Sequence, residues 1–237
     1  MSFVYLVRHG QAGTRDDYDS LSALGREQAR RLGEYFARDG LRFDRALSGT
    51  MRRQRATADE VRCAYLRAGV PFPEVEARAE WNEFDLEGLY RHIAPRLCED
   101  DAVFRAGYER MKDEILASGG DPSATVHRRW TPYDVAVFEA WKDGRYEYPG
   151  ESWAAFCARM RGCQVRMNGD VAIFTSATPT AIWAGVGLDV TDERVMRIAG
   201  VLLNASYTVL RVRDGQVRLF SLNNIPHLTD PSLRTNR

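Results

Sequence analysis

The sequence is short of net charge, of histidine and of cysteine, and it has no long apolar run without a polar break. Its 237 residues carry 33 Lys and Arg against 33 Asp and Glu, a formal charge of zero, and only four histidines. A basic nucleic-acid binder or an acidic disordered tail would show as imbalance, so no nucleic-acid partner is expected. The four cysteines, Cys63, Cys98, Cys157 and Cys163, form no CxxC pair and do not cluster with histidine. That excludes a disulfide framework and a zinc ribbon, and fits reduced thiols in a cytoplasmic protein with no metal or cofactor. The first eight residues lack a basic segment ahead of a long apolar one, so no secretory signal is expected. Val171 to Leu188 holds no charge, but Thr175, Ser176, Thr178, Pro179 and Thr180 break its middle. It reads as a buried strand, a polar turn and a helix, with no membrane span.

What is there is the composition of a folded globule, with 44% hydrophobic and 28% charged residues. Residues 1–237 are expected to form a single domain with a decoration. Phe3 to Val7 is a continuous apolar run ending at Arg8-His9-Gly10, which predicts a central strand delivering a charged loop. Ser22 is placed as an N-cap for a helix from Leu24 to Phe36, with Leu24, Gln28, Leu32 and Phe36 on one face and Asp39-Gly40 as its stop. Phe43 to Leu47 fits a second strand, followed by a helix through Thr57, Val61 and Leu66. Val75 begins an extended piece leading to Glu80-Trp81-Asn82-Glu83.

From Asp85 to Pro149 the pattern turns helical and rich in charge and aromatics, including Val103 to Leu116 and Tyr133 to Trp141. We expect a helical insertion, residues 85–150, that covers the site and sets substrate choice. The core then resumes with a helix from Ser152 to about Val165, a strand Val171 to Thr175 and a helix starting near Pro179. Ser206 to Val212 and Gln216 to Leu222 flank Asp214-Gly215, a hairpin signal. Strands alternating with helices and a late hairpin predict an α/β sandwich with a mixed sheet. Chemistry in such sheets sits beyond the C-terminal strand ends. Three loops therefore matter: Arg8 to Gln11, Ser48 to Arg53, and Thr175 to Thr178.

The Arg8-His9-Gly10 triplet after the first strand resembles the hallmark of the histidine phosphatase superfamily, also called phosphoglycerate mutase-like. The resemblance extends through Leu21-Ser22-x-x-Gly25-x-x-Gln28-Ala29 and Ser48-Gly49-x-Met51-x-Arg53-x-x-x-Thr57-Ala58. It continues through Trp81-Asn82-Glu83-Phe84 and the Gly150-Glu151-Ser152-Trp153 helix start. It implies a three-layer α/β/α sandwich with a mostly parallel central sheet, and a metal-independent phosphatase with a phosphohistidine intermediate. The substrate class is a small phosphorylated metabolite. His9 would be the nucleophile, with Arg8 and Arg53 binding phosphate and Glu83 as general acid and base. Gln11, Arg52, Ser176 and Ala177 would complete the substrate site, Arg52 being the alternative to Arg53.

The chemistry behind these roles is general. An imidazole flanked by fixed positive charge stays unprotonated and nucleophilic near neutral pH. Guanidinium forks bind phosphate oxygens bidentately and stabilise transition-state charge. Apolar neighbours Trp81 and Phe84 would keep the Glu83 acid protonated. His92 and His127 carry no motif and are assigned to packing, and His227 to packing or capping of the C-terminal segment, with a pocket role as the alternative.

The departure from the family pattern lies at the later core strand. A typical member carries a second histidine there, whereas this chain reads Phe174-Thr175-Ser176-Ala177-Thr178. Ser176 takes its place, or Ala177 with a one-residue shift. A neutral hydroxyl in place of a charged donor loses about 1.5–3 kcal/mol, or ten- to a hundred-fold in rate. Two other readings follow: a catalytically weak phospho-ligand-binding or regulatory protein of the same fold, or a phosphoglycerate-type mutase.

Overall fold

The computed structural model describes residues 2–121, 124–163 and 168–236. Its elements run β1 (Ser2–Arg8), α1 (Ala23–Arg38), β2 (Arg45–Ser48), α2 (Arg52–Arg67), β3 (Val75–Ala77), α3 (Leu86–Asp100), α4 (Ala102–Ala117), α5 (Thr125–Arg128) and α6 (Pro132–Lys142). They continue with α7 (Trp153–Gly162), β4 (Val171–Thr175), α8 (Ala177–Leu188), α9 (Asp192–Ala199), β5 (Tyr207–Arg213) and β6 (Gln216–Asn224). The six strands form one mixed sheet in the order β3-β2-β4-β1-β5-β6. The first three pairings are parallel, and β5 and β6 close the far edge antiparallel. This is the α/β sandwich with a mixed sheet that the alternation predicts, and mostly parallel as the resemblance implies.

The chain divides into two compact units, one of residues 1–13, 17–83 and 160–237, the other of residues 14–16 and 84–159. In the first, β4 is buried along its whole length, as its unbroken apolar run requires of a central parallel strand. Leu32, Phe36, Val61, Tyr65 and Phe174 form its core cluster, with Tyr5, Phe43, Phe72 and Tyr207 packed on it. Each fully buried ring or branched chain contributes about 1.5–3 kcal/mol. In the second unit, Phe84, Phe138, Trp141, Trp153 and Phe156 pack ring against ring, mostly edge to face, at centroid separations of 5.1–6.3 Å. Trp141 and Trp153 are thus core residues.

Arg15 anchors the second unit. Its guanidinium grips both carboxylate oxygens of Asp134 at 2.9 and 2.7 Å and the Val126 carbonyl at 2.7 Å. Asp134 also takes the Tyr90 hydroxyl at 2.7 Å and forms a capping box with Thr131 at the start of α6. Burial opposes the charge, yet the Arg15 hydrogen bonds prevail and hold the carboxyl at about 2. His127 accepts the Arg15 backbone N–H at Nδ1 and meets the Ser118 hydroxyl at Nε2, which is the packing role expected of it.

Several boundaries differ from expectation. The second strand begins at Arg45, not Phe43, because Phe43 turns into the aromatic cluster ahead of the ladder. On α1, Gln28, Leu32 and Phe36 are buried but Leu24 is only half-buried. Leu66, in the last turn of α2, is 54% exposed. The helix expected from Ser152 starts at Trp153 and is described to Gly162; Val165 lies outside the described residues. The helix placed near Pro179 begins two residues earlier, at Ala177, leaving the proline in its first turn. Helix α9 was not expected, since eight residues rich in charge mimic a loop. Strand β4 and the Asp214-Gly215 hairpin fall as predicted, and φ values of 51° and 75° give a primed turn.

Candidate active site

Strand β1 ends at Arg8, and its pairing with Thr175 sets His9 beside Ser176 at the C-terminal ends of two adjacent parallel strands. The His9 N–H donates to the Thr175 carbonyl at 2.9 Å, while its own carbonyl accepts from Ala205 N at 3.1 Å and Asn204 Nδ2 at 3.3 Å. The loop after it passes α1 so closely that a side chain on Gly10 would strike the Gly25 carbonyl, and one on Gly25 the Gln11 carbonyl. Both obstacles are backbone, which explains the glycines of two separate motifs. Thr57, one turn beyond Arg53, clamps the loop to α2 by accepting the Gly10 N–H at 3.1 Å and donating to the Arg53 carbonyl at 2.8 Å.

His9 is 2% exposed. Its Nδ1 lies 2.7 Å from the Gly10 carbonyl and its Nε2 3.2 Å from the Arg53 Nε–H. A carbonyl can only accept and a guanidinium only donate, so Nδ1 carries the proton and Nε2 presents its lone pair. Burial, then the charge of Arg53, then that of Arg8 push the imidazole well below its ordinary value, so it is neutral at pH 7.

Arg53 is held from three sides: by His9, by Asp19 Oδ1 at 2.9 Å from its Nη1, and by the Tyr18 ring, whose centroid lies 4.9 Å from the guanidinium carbon. Asp19 also takes the Arg52 backbone N–H at 3.0 Å, at the start of α2. The Arg52 side chain itself is exposed and reaches Asp17 at 3.2 Å. Between the two arginines, it is Arg53 that touches His9. Arg8 directs Nη1 to the Leu202 carbonyl and, at 3.2 Å, to that of Asn236. Gln11 Oε1 accepts from the Ser22 hydroxyl at 2.9 Å, tying the loop to the α1 N-cap, which itself accepts from Gly25 N.

Glu83 departs from the expected environment. Its Oε2 accepts the Thr178 N–H at 3.0 Å, in the first turn of α8. A helix N-terminal donor of this kind favours a carboxylate. Trp81 is buried and contributes its carbonyl, which accepts from Thr175 Oγ1 at 2.6 Å. Ser176 is buried and accepts from Gln54 Nε2 at 2.8 Å, and Ala177 is half-buried as the first residue of α8. Sequence reasoning did not single out Tyr18, Asp19 or Gln54. A signal existed for Gln54: with Thr57, Ala58 and Val61 it completes the buried face of α2. Among the described residues no three His, Cys, Asp or Glu cluster to hold a metal ion, and no helix is long and apolar enough to cross a membrane.

A buried, neutral imidazole whose Nε2 faces the Arg53 guanidinium, at the strand ends of an α/β sandwich, is an arrangement that can meet an anion. The model of the histidine phosphatase superfamily (branch 1) matches residues 4–133, and the chain belongs to that superfamily. Among curated relatives, the mitochondrial serine/threonine-protein phosphatase Pgam5 of Drosophila willistoni is 33% identical over 93 residues, covering 33% of this chain and 32% of its own. The chain thus spans about a third of the length of that relative. Among solved structures, Bacillus stearothermophilus YhfR superposes with a TM-score of 0.62 at 16% identity, covering 96% of this chain and 99% of its own. A phosphoserine phosphatase from Entamoeba histolytica, solved with 3-phosphoglyceric acid, gives 0.57 at 16% identity, covering 96% of this chain and all (100%) of its own. These likenesses establish the fold.

Proposed function

We propose that the protein hydrolyses a small phosphomonoester through a phosphohistidine on His9. The observation that carries this reading is the fixed tautomer of His9, with Nδ1–H on the Gly10 carbonyl and Nε2 facing Arg53. In the first step Nε2 bonds to phosphorus, the bond from phosphorus to the alkyl or aryl oxygen breaks, and the acid form of Glu83 gives that oxygen its proton. A phosphoryl dianion brought beside a carboxyl favours its acid form, the form this step uses. In the second step water attacks phosphorus, Glu83 takes the water proton, and the bond to Nε2 breaks to release phosphate. Arg53 bears the charge on the equatorial oxygens with the guanidinium hydrogens not engaged by His9 and Asp19. Ser176 donates where the family pattern has histidine.

Turnover of an aryl phosphate by the wild type beside a His9→Ala control tests this. Activity abolished by the substitution, with an acid-labile phosphoryl group trapped on wild type alone, supports it; activity that survives the substitution refutes it. A second reading, binding of a phospho-ligand without efficient turnover, is favoured by two observations. Arg8 spends Nη1 on the Leu202 and Asn236 carbonyls, and Ser176 supplies a weaker donor than imidazolium. Phosphate binding with no turnover and no trapped intermediate would decide for it.

A further inference from the structure

Gln54 follows Arg53 on α2, is wholly buried, and has no task in the steps above. Its Nε2 donates to Ser176 Oγ at 2.8 Å and to the Trp81 carbonyl at 3.2 Å. A carbonyl oxygen cannot donate, so the amide must turn its nitrogen toward Trp81 and cannot present its oxygen to Ser176. Both amide hydrogens are then engaged, and Ser176 Oγ is the acceptor in their bond. Among the described residues the Ser176 hydroxyl donates to no protein group, its Oγ taking part only in the bond from Gln54.

That proton sits one residue past the Arg8–Thr175 pair, at the strand end adjoining the one that carries His9. Gln54 Oε1 meanwhile is buried against Gly49 with no hydrogen-bond partner among the described residues. An orphaned acceptor weakens a core that an apolar side chain of equal reach would fill without loss. The amide therefore earns its place through Nε2.

We propose that Gln54 is a positioning residue: it holds Ser176 Oγ as an acceptor so that the hydroxyl proton is delivered to the transferring phosphoryl group. The pair does by two neutral side chains what one imidazole does in the usual pattern. A hydroxyl that already accepts a hydrogen bond is polarised and becomes the better donor. Without Gln54 the hydroxyl is free to rotate onto the neighbouring Trp81 carbonyl, which withdraws it from the phosphate. The proposal rests on the phosphoryl-transfer reading of the site.

The test compares wild type, Gln54→Met, Ser176→Ala and the double variant on an aryl phosphate, with His9→Ala as control and inorganic phosphate as competitive ligand. Methionine keeps the reach of glutamine and removes the donor together with the unpartnered Oε1. The expected result is a loss of about tenfold in kcat for each single variant with KM within twofold, because the donor acts on transition-state charge. The double variant should be no worse than Ser176→Ala, and the melting temperature of Gln54→Met unchanged or higher. Losses that multiply in the double variant would show that Gln54 acts independently of Ser176. Full kcat in Gln54→Met with activity lost in His9→Ala would overturn the pairing while sparing the nucleophile. Activity that survives His9→Ala would overturn both.

Discussion

The Nε–H of Arg53 points at Nε2 of His9 across 3.2 Å, so the nitrogen that would attack phosphorus is also the one that feels a fixed cation most closely. Protonation there would set two positive groups against each other inside a buried site, which is why the imidazole stays neutral well below its usual titration. A rate profile for the aryl phosphate should therefore show no acid limb from His9 near pH 6.5. Arg53→Gln removes the charge, lets the imidazole pKa rise, and should move the acid limb of kcat/KM toward neutral pH as well as lowering its plateau by a hundredfold or so. A limb that stays in place would detach Arg53 from the state of His9.

The hydrogen bond from Thr178 N to Glu83 makes a leaving-group prediction. An aryl oxide departs without a proton, whereas an alkoxide does not. Glu83→Gln should lower kcat for an alkyl phosphate by about 10²–10⁴-fold and for a nitrophenyl phosphate far less in the phosphorylation step. Equal losses with both substrates would leave Glu83 a helix cap and nothing more.

How much of this was legible can be judged residue by residue. The Arg8-His9-Gly10 loop, the α1 N-cap Ser22, strand β4 and the 214–215 hairpin are written in local patterns, because each depends on neighbours within a turn or two. The environment of Glu83 is not local: its partner Thr178 is 95 positions away, and only the fold brings a helix N-terminus to it. Gln54 and Ser176, 122 positions apart, form a pair that neither segment hints at alone. Asp19 was invisible for another reason, since an acid in an acidic loop reads as solvated until Arg53 is placed beside it.

The Arg15–Asp134 pair predicts how the second unit responds to acid. A carboxyl held at about 2 when folded and near 3.8 when unfolded stabilises the folded state above pH 4, and the contribution is lost as pH falls through 2. About 2 kcal/mol is at stake by that linkage. Amide exchange in α6 should accelerate across this window in wild type. Asp134→Asn should accelerate it already at pH 7, because a buried guanidinium left alone costs about 3–5 kcal/mol. Unchanged exchange in the variant would mean that the aromatic cluster alone holds the unit.

His227 makes the opposite end of the acid range informative. Burial, aided by the Arg31 charge and opposed by the Ala205 backbone, lowers its pKa to about 4, and the ring packs 6.3 Å from that of Tyr35. Being depressed, it leaves stability intact above the unfolded value near 6.5, and stability declines as pH falls from there to 4. His9 has the same sign, so the decline is shared. His227→Phe should remove part of it, on the order of 3 kcal/mol by the size of the shift, with turnover at pH 7 preserved. A pH dependence of unfolding identical to wild type would place the whole effect on His9.

The missing second histidine can be put back, and the structure says under what condition. Position 176 lies within 2.8 Å of the Gln54 amide, which the Trp81 carbonyl holds in place. An imidazole reaches farther from the backbone than a hydroxyl and meets that amide in a core where neither can yield. Ser176→His alone should therefore lower activity rather than raise it. Ser176→His with Gln54→Ala opens the space and should recover turnover above that of Ser176→His, approaching or exceeding wild type if the imidazole reaches the phosphoryl group as a charged donor. Its rate profile should then gain a dependence on an ionising donor that the serine enzyme lacks. A single Ser176→His variant faster than wild type would show that the amide gives way, and that Gln54 is not the wall that excludes the ring.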